Sequence, residues 1–165
     1  MGTVSHDSET PAHGQQVITA CAFITHNFDG VQKVFLARRA NTKKFLPNVF
    51  ELPGGHIEFG EDIEVGLKRE VREELNKDIE LGDPFAVFTY VNEVKGSHSI
   101  EVIYFAKWLG GIDDITLNPE DHSEYAWFSE QEVKMLYKEI SADGTDQDPE
   151  YLAILKGFEK RAKPL

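Results

Sequence analysis

Between Gly55 and Lys77 the chain reads GHIEFGEDIEVGLKREVREELNK, a stretch that demands a helix with a crowded acidic flank. Gly55 is followed after five residues by Glu61, and after seven more by Arg69-Glu70-Val71-Arg72-Glu73-Glu74. Ile63, Leu67, Val71 and Leu75 recur every fourth residue, the spacing of an apolar stripe that packs on a sheet. Glu61, Asp62 and Glu64 are expected in the first helical turn, where the macrodipole favours negative charge. At about 100° per residue, Glu70, Glu73 and Glu74 fall within an arc of roughly 100° beside the stripe. Carboxylates that close repel one another. Arg69, four residues before Glu73, supplies part of the relief, with Arg72 and Lys77. A hard divalent cation taking carboxylate oxygens would supply more. Six residue types fixed at these spacings arise by chance about once in ten million windows, which sets aside an ordinary solvated helix face.

These residues resemble the signature box of the Nudix hydrolases, closest to the MutT-like branch. Val34-Phe35-Leu36-Ala37-Arg38-Arg39-Ala40 and Phe50-Glu51-Leu52-Pro53-Gly54-Gly55 are similar to the strand and turn ahead of that box. The resemblance covers residues 31 to 77 and implies an α/β/α sandwich. It implies Glu70, Glu73 and Glu74 as metal ligands, joined by the Gly54 carbonyl. Gly55, Glu61 and Arg69 are then structural support, with Arg69 holding the carboxylates in place. Mg²⁺ is the expected ion, with Mn²⁺ as a substitute. Two positions depart from the box: Asn76 and Lys77 stand where the family has Gly and an apolar residue. Asn is the next best residue for a left-handed helix stop, and Ile79 is expected to take over the apolar contact.

Along the rest of the chain, residues 1–15 are polar and read as a disordered tail, and residues 16–165 as one domain. Gln16–His26 and Val31–Arg38 read as strands joined by an Asp29-Gly30 hairpin turn. Val49–Leu52 reads as a short strand ahead of the box. Phe85–Val94, Ser99–Leu109 and Glu124–Phe128 are further strands. Ser129 with Glu132 forms a capping box for one helix, and Pro149 opens another. This order implies a mixed sheet covered by helices, of α/β (α+β) class.

Net charge of −12 argues against nucleic-acid polymers as partners but not against nucleotides, because bound metal can reverse the local sign. The single Cys21 reads as a small core residue. No apolar run has the length of a membrane span, and no secretory signal is legible, so a cytoplasmic enzyme, monomeric or homodimeric, is expected.

Among substrate contacts, Arg39 is expected on the phosphates, with Arg38 on the opposite face. Asp146 and Gln147 are expected at the base, where related enzymes carry polar residues. Phe28, Phe45, Tyr90, Tyr104 and Trp127 are candidates for stacking. Glu120 leads Glu101, Asp121 and Glu124 as the extra acid that serves as ligand or general base, alongside Glu73 and Glu74. His122 reads as an exposed structural residue, with a hydrogen bond to substrate as the alternative.

The expected reaction is Mg²⁺-dependent hydrolysis of a nucleoside diphosphate linked to X, a (d)NTP or modified nucleotide giving monophosphate and pyrophosphate. ADP-ribose, a dinucleoside polyphosphate or a nucleotide sugar is the alternative substrate. Asn92, Glu93 and Val94 stand where the first two classes carry proline or tyrosine. A nucleotide-sensing domain without catalysis is the alternative of another class.

Overall fold

A computed structural model describes residues 9–140 and 148–162. Seven strands and three helices follow in the order β1 (Gln16–Phe28), β2 (Val31–Arg39), β3 (Phe50–Glu51), β4 (Gly54–His56), α1 (Ile63–Leu75), β5 (Ile79–Asn92), β6 (Ser97–Trp108), β7 (His122–Ser129), α2 (Glu130–Ile140) and α3 (Pro149–Ala162). The strand not foreseen is β4. Its Gly-Gly-His sequence lacks strand character, and it exists because it pairs antiparallel with β1 at Thr19–Cys21.

The sheet runs β3-β2-β1-β6-β5, with β4 added on β1 and β7 on β2. The β1–β6 pair is parallel and every other pair is antiparallel. Strand β1 touches β2 only over Thr25–Phe28, then leaves it and takes β4 as neighbour. That divergence opens the sheet where the cavity lies.

Alternation along β1 sorts the core into two layers. Ala20, Ala22 and Ile24 pack with Leu67, Val71 and Leu75 of α1. Cys21 and Phe23 pack on the other side with Val133 and Tyr137 of α2 and Ile154 and Phe158 of α3. The result is the expected α/β/α sandwich. No described helix is long and apolar enough to cross a membrane.

Local chemistry sets the ends of these elements. Asp29 and Gly30 both take positive φ, 52° and 90°, closing the hairpin as their pair predicts. Helix α1 starts two residues later than the acids suggested. Asp62 is its N-cap, accepting from the amides of Glu64 and Val65, and only Glu64 lies in the first turn. Asn76 stops α1 in the left-handed conformation, φ 50°. Lys77 is buried, with its ammonium over the Trp108 ring and paired with Asp114, while Ile79 joins the α1 core. The capping box forms as read: Glu132 N donates to Ser129 Oγ at 3.2 Å, and Ser129 N to Glu132 Oε2 at 2.7 Å. Asp148 caps α3 through the amides of Glu150 and Tyr151.

One part of the expected tail is held in place. Ala12 N donates to Lys95 O at 2.7 Å and Gly14 N to Gly96 O at 3.0 Å, and Ala12 is buried. The polar sequence concealed this because the anchoring is by backbone hydrogen bonds to the β5–β6 turn.

Asp62→Ala removes the acceptor for two amides that have no helical partner. It is expected to cost about 1 kcal/mol of stability in urea unfolding.

Candidate active site

A cavity of about 670 Å³ opens where β1 and β2 diverge. Four of its acids come from β3 and α1 (Glu51, Glu70, Glu73 and Glu74), and four from elsewhere (Glu101, Asp121, Asp148 and Glu150). Against these eight carboxyls the lining offers Arg39 and Lys43, with His56 and His122.

Helix α1 builds the acidic end. Its stripe fixes the helix on the sheet, so Glu70 and Glu74, one turn apart, point toward the Gly54-Gly55 strand. Glycine at 55 is required by contact: a Cβ there would lie 2.4 Å from Glu70 Oε2. Gly54 has φ 151°, and a Cβ on it would lie 2.1 Å from Ala20 O. Gly54 N donates to Glu74 Oε2 at 3.4 Å.

Arg69 organises the group. Its Nε donates to Glu61 Oε2 at 2.7 Å and its Nη2 to Glu61 Oε1 at 2.9 Å. Its Nη1 reaches Glu70 Oε1 at 2.9 Å and Glu73 Oε2 at 3.2 Å, and Nη2 also reaches the His56 carbonyl at 3.1 Å. Glu74 has no such cation. Burial, then Glu51, Glu70 and Asp121, push its carboxyl well above the usual range. The donor set is hard oxygen on a fixed backbone, which fits a divalent ion such as Mg²⁺.

The opposite wall comes from β2, β3 and β7. Arg39 donates from Nε to Phe45 O at 2.8 Å and from Nη1 to Glu51 Oε1 at 3.3 Å. His122 Nε2 lies 2.9 Å from the same Glu51 oxygen. Burial alone would raise Glu51, but Arg39 and His122 outweigh it and hold the carboxyl below its ordinary value. Arg38 turns away, toward Glu124 and Asn48.

At the far end, Glu101 of β6 and Glu150 of α3 stand beside Cys21 of β1. Burial and the neighbouring Glu51 and Asp148 carboxyls push Glu101 up to about 7, against the Cys21 and Thr19 hydrogen bonds. Burial and Glu101 likewise raise Glu150 and the Cys21 thiol. A thiol so raised is not a nucleophile.

Several expectations need revision. Glu120 is exposed and does not line the cavity; its amide donates to Asn118 Oδ1 in the turn. Its neighbour Asp121 faces inward instead, paired with Lys43 at 3.1 Å. His122 is buried at 2% exposure rather than exposed, because β7 begins at it and the Glu51 carboxyl claims its ring. Of the aromatic candidates, Phe45 and Tyr90 line the cavity; Phe28 and Trp127 pack on each other, and Tyr104 lies in the α1 core. Asp146 and Gln147 lie outside the described residues. Glu51 and Glu150 were missed as site residues. Glu51 stood in the quoted segment before Pro53, and Glu150 is the acid just after the helix-opening Pro149.

The fold and the clamped acids define a hydrolase class, the pyrophosphohydrolases. The NUDIX domain model matches residues 16–147, and the chain belongs to the NUDIX family. It is 31% identical over 108 residues to the nucleoside triphosphatase NudI of Salmonella schwarzengrund, covering 61% of this chain and 75% of that protein. Its fold is similar to the crystal structure of a MutT protein from Methanosarcina mazei Go1, with TM-score 0.66, 24% identity, and 94% and 99% of the two chains covered. A C. elegans Ap4A hydrolase is similar in fold too, with TM-score 0.66, 21% identity, and 88% and 98% covered.

The pH dependence of stability follows from the raised acids. Glu74, Glu101 and Glu150 bind protons more tightly folded than unfolded. Their contribution is therefore greatest below the ordinary carboxylate range and is lost as pH rises through their folded values, about 7 for Glu101. Glu51, lowered, acts oppositely, and only on acidification. In EDTA the Tm is expected to fall between about pH 5 and about pH 7.5. Mg²⁺ should raise it more at the higher pH, as thermal scans would show.

Proposed function

We propose that this enzyme hydrolyses a nucleoside diphosphate linked to X with Mg²⁺, and that a nucleoside triphosphate is its substrate, giving monophosphate and pyrophosphate. The observation that carries this is the Arg69 clamp, which holds Glu70 and Glu73 beside the uncompensated Glu74 at one end of the cavity. Eight carboxyls in one cavity repel a polyphosphate unless divalent cations accompany it. Likeness to a nucleoside triphosphatase over 75% of that protein's length supports the triphosphate.

Glu70, Glu73 and Glu74, with the Gly54 carbonyl, would hold Mg²⁺, which on binding neutralises diphosphate charge and acidifies the attacking water. Glu61 and Arg69 fix the carboxylates before substrate arrives, so little reorganisation remains in the reaction. Glu74, the box acid that shares no arginine, takes the proton of the attacking water. Asp121, rather than the outward Glu120, is the loop acid placed to assist. Arg39 reaches the phosphates from the Glu51 side, and Lys43 joins it from its loop. Both already hold acidic partners, so each must exchange a carboxylate for a phosphate oxygen.

Glu74→Gln is expected to lose nearly all turnover of a triphosphate panel in Mg²⁺, at least about 10²-fold in kcat, with Tm in EDTA equal to or above that of the unaltered protein. Products resolved by chromatography and calorimetric Tm check both halves. Retained turnover in the variant, or turnover that survives EDTA, would sink the assignment.

A further inference from the structure

The end of the cavity away from the α1 acids holds two carboxyls that phosphate chemistry does not use. A carboxylate oxygen of Glu101, one of Glu150 and the Cys21 sulfur all lie within 4.8 Å of one another. Glu101 is 7% exposed, and its Oε1 accepts from both Thr19 Oγ1 and Cys21 Sγ at 3.3 Å. Glu150 Oε1 accepts from Leu52 N at 3.2 Å. The hydroxyl contact is long, the thiol is a weak donor, and among the described residues no ion pair joins either acid to a cation. Buried carboxyls in that state want further hydrogen-bond donors.

The walls beside them are flat and apolar. Phe45 and Tyr90 lie nearly parallel, 13° between planes and 6.2 Å between centroids, and Phe88 adds a third ring. Such faces stack a heteroaromatic ring of any kind, so they give affinity without discrimination. Discrimination falls to the floor, where even with one acid protonated the acceptors outnumber the donors.

This inference rests on the phosphates lying at the α1 end, which leaves the base to reach the floor. We propose that Glu101 and Glu150 select nucleotides whose base carries an exocyclic amino group and reject the keto counterparts. Cytosine brings an amino N–H where uracil brings a carbonyl oxygen, and adenine differs from hypoxanthine in the same way. The amino group completes the hydrogen bonding of the floor. The carbonyl sets one acceptor against another in a buried place, the mismatch that sites of this kind discriminate most strongly.

Two measurements test it together: kcat/KM for CTP and UTP with Mg²⁺, and calorimetric binding of CMP, UMP, AMP and IMP, also with Mg²⁺. CTP is expected to exceed UTP by about tenfold or more, in KM rather than kcat, with an amino preference of similar size in monophosphate binding. Glu101→Gln, whose amide supplies a donor, should narrow the ratio to within about threefold or reverse it in favour of uracil. A merely structural glutamate would weaken both members of a pair equally. Glu150→Gln is read in the same way should the first variant fail to fold. The proposal is overturned if both pairs bind within about twofold, if no monophosphate binds, or if the variants weaken both members alike. Amino preference in binding without hydrolysis of any triphosphate would leave the floor standing and remove the hydrolytic reading. EDTA-sensitive hydrolysis without preference would do the reverse.

Discussion

One guanidinium holds the α1 end of the cavity together. Arg69 touches Glu61, Glu70, Glu73 and the His56 carbonyl, so a single planar cation ties α1 to the loop before it and to β4. Lysine could not replace it, because the contacts spread over three nitrogens in a fixed fork. The clamp also explains the glycines around it. Glu70 can lie against the strand only because Gly55 has no side chain, and Glu61 closes over Gly66, where a Cβ would meet its Oε1 at 2.5 Å. The spacing of the box is thus a packing constraint before it is a catalytic one.

Glu74 is the exception to that compensation. Three of the four box glutamates share the arginine, while Glu74 has one long amide contact and three acidic neighbours. At the α1 end of the cavity the electrostatic cost falls on this one carboxyl, where a cation would relieve it.

The box helix, the Asp29-Gly30 hairpin, the left-handed stop at Asn76, the Ser129 capping box and the start of α3 at Pro149 were legible because each is written in local residue types. The cavity was only half legible. Its α1 end is a contiguous motif, but its far end is assembled from β1, β3, β5, β6 and α3, and Glu101 and Glu150 are nearly fifty residues apart. Glu120 and Asp121 are adjacent, and nothing in the sequence says which turns inward. The ladder decides: Arg39 faces His122 across a bulge, and Asp121 O accepts from Ala40 N, so the Asp121 carboxyl is aimed at the cavity and Glu120 at solvent. Strand β4 was illegible because glycine has no strand propensity and its partner supplies the reason for its shape.

The segment ahead of β1 ties two walls of the cavity to each other. Its backbone clasps the Lys95-Gly96 turn, the hinge of the hairpin whose strands carry Phe88, Tyr90 and Glu101, and Glu9 bonds the Lys44 amide beside Phe45. Rings and floor are thus braced by residues that contribute no chemistry. Changes in this segment can soften or stiffen the ring-lined end of the cavity while the α1 acids stay as they are, so the shape of one end can drift under sequence turnover that leaves the other intact.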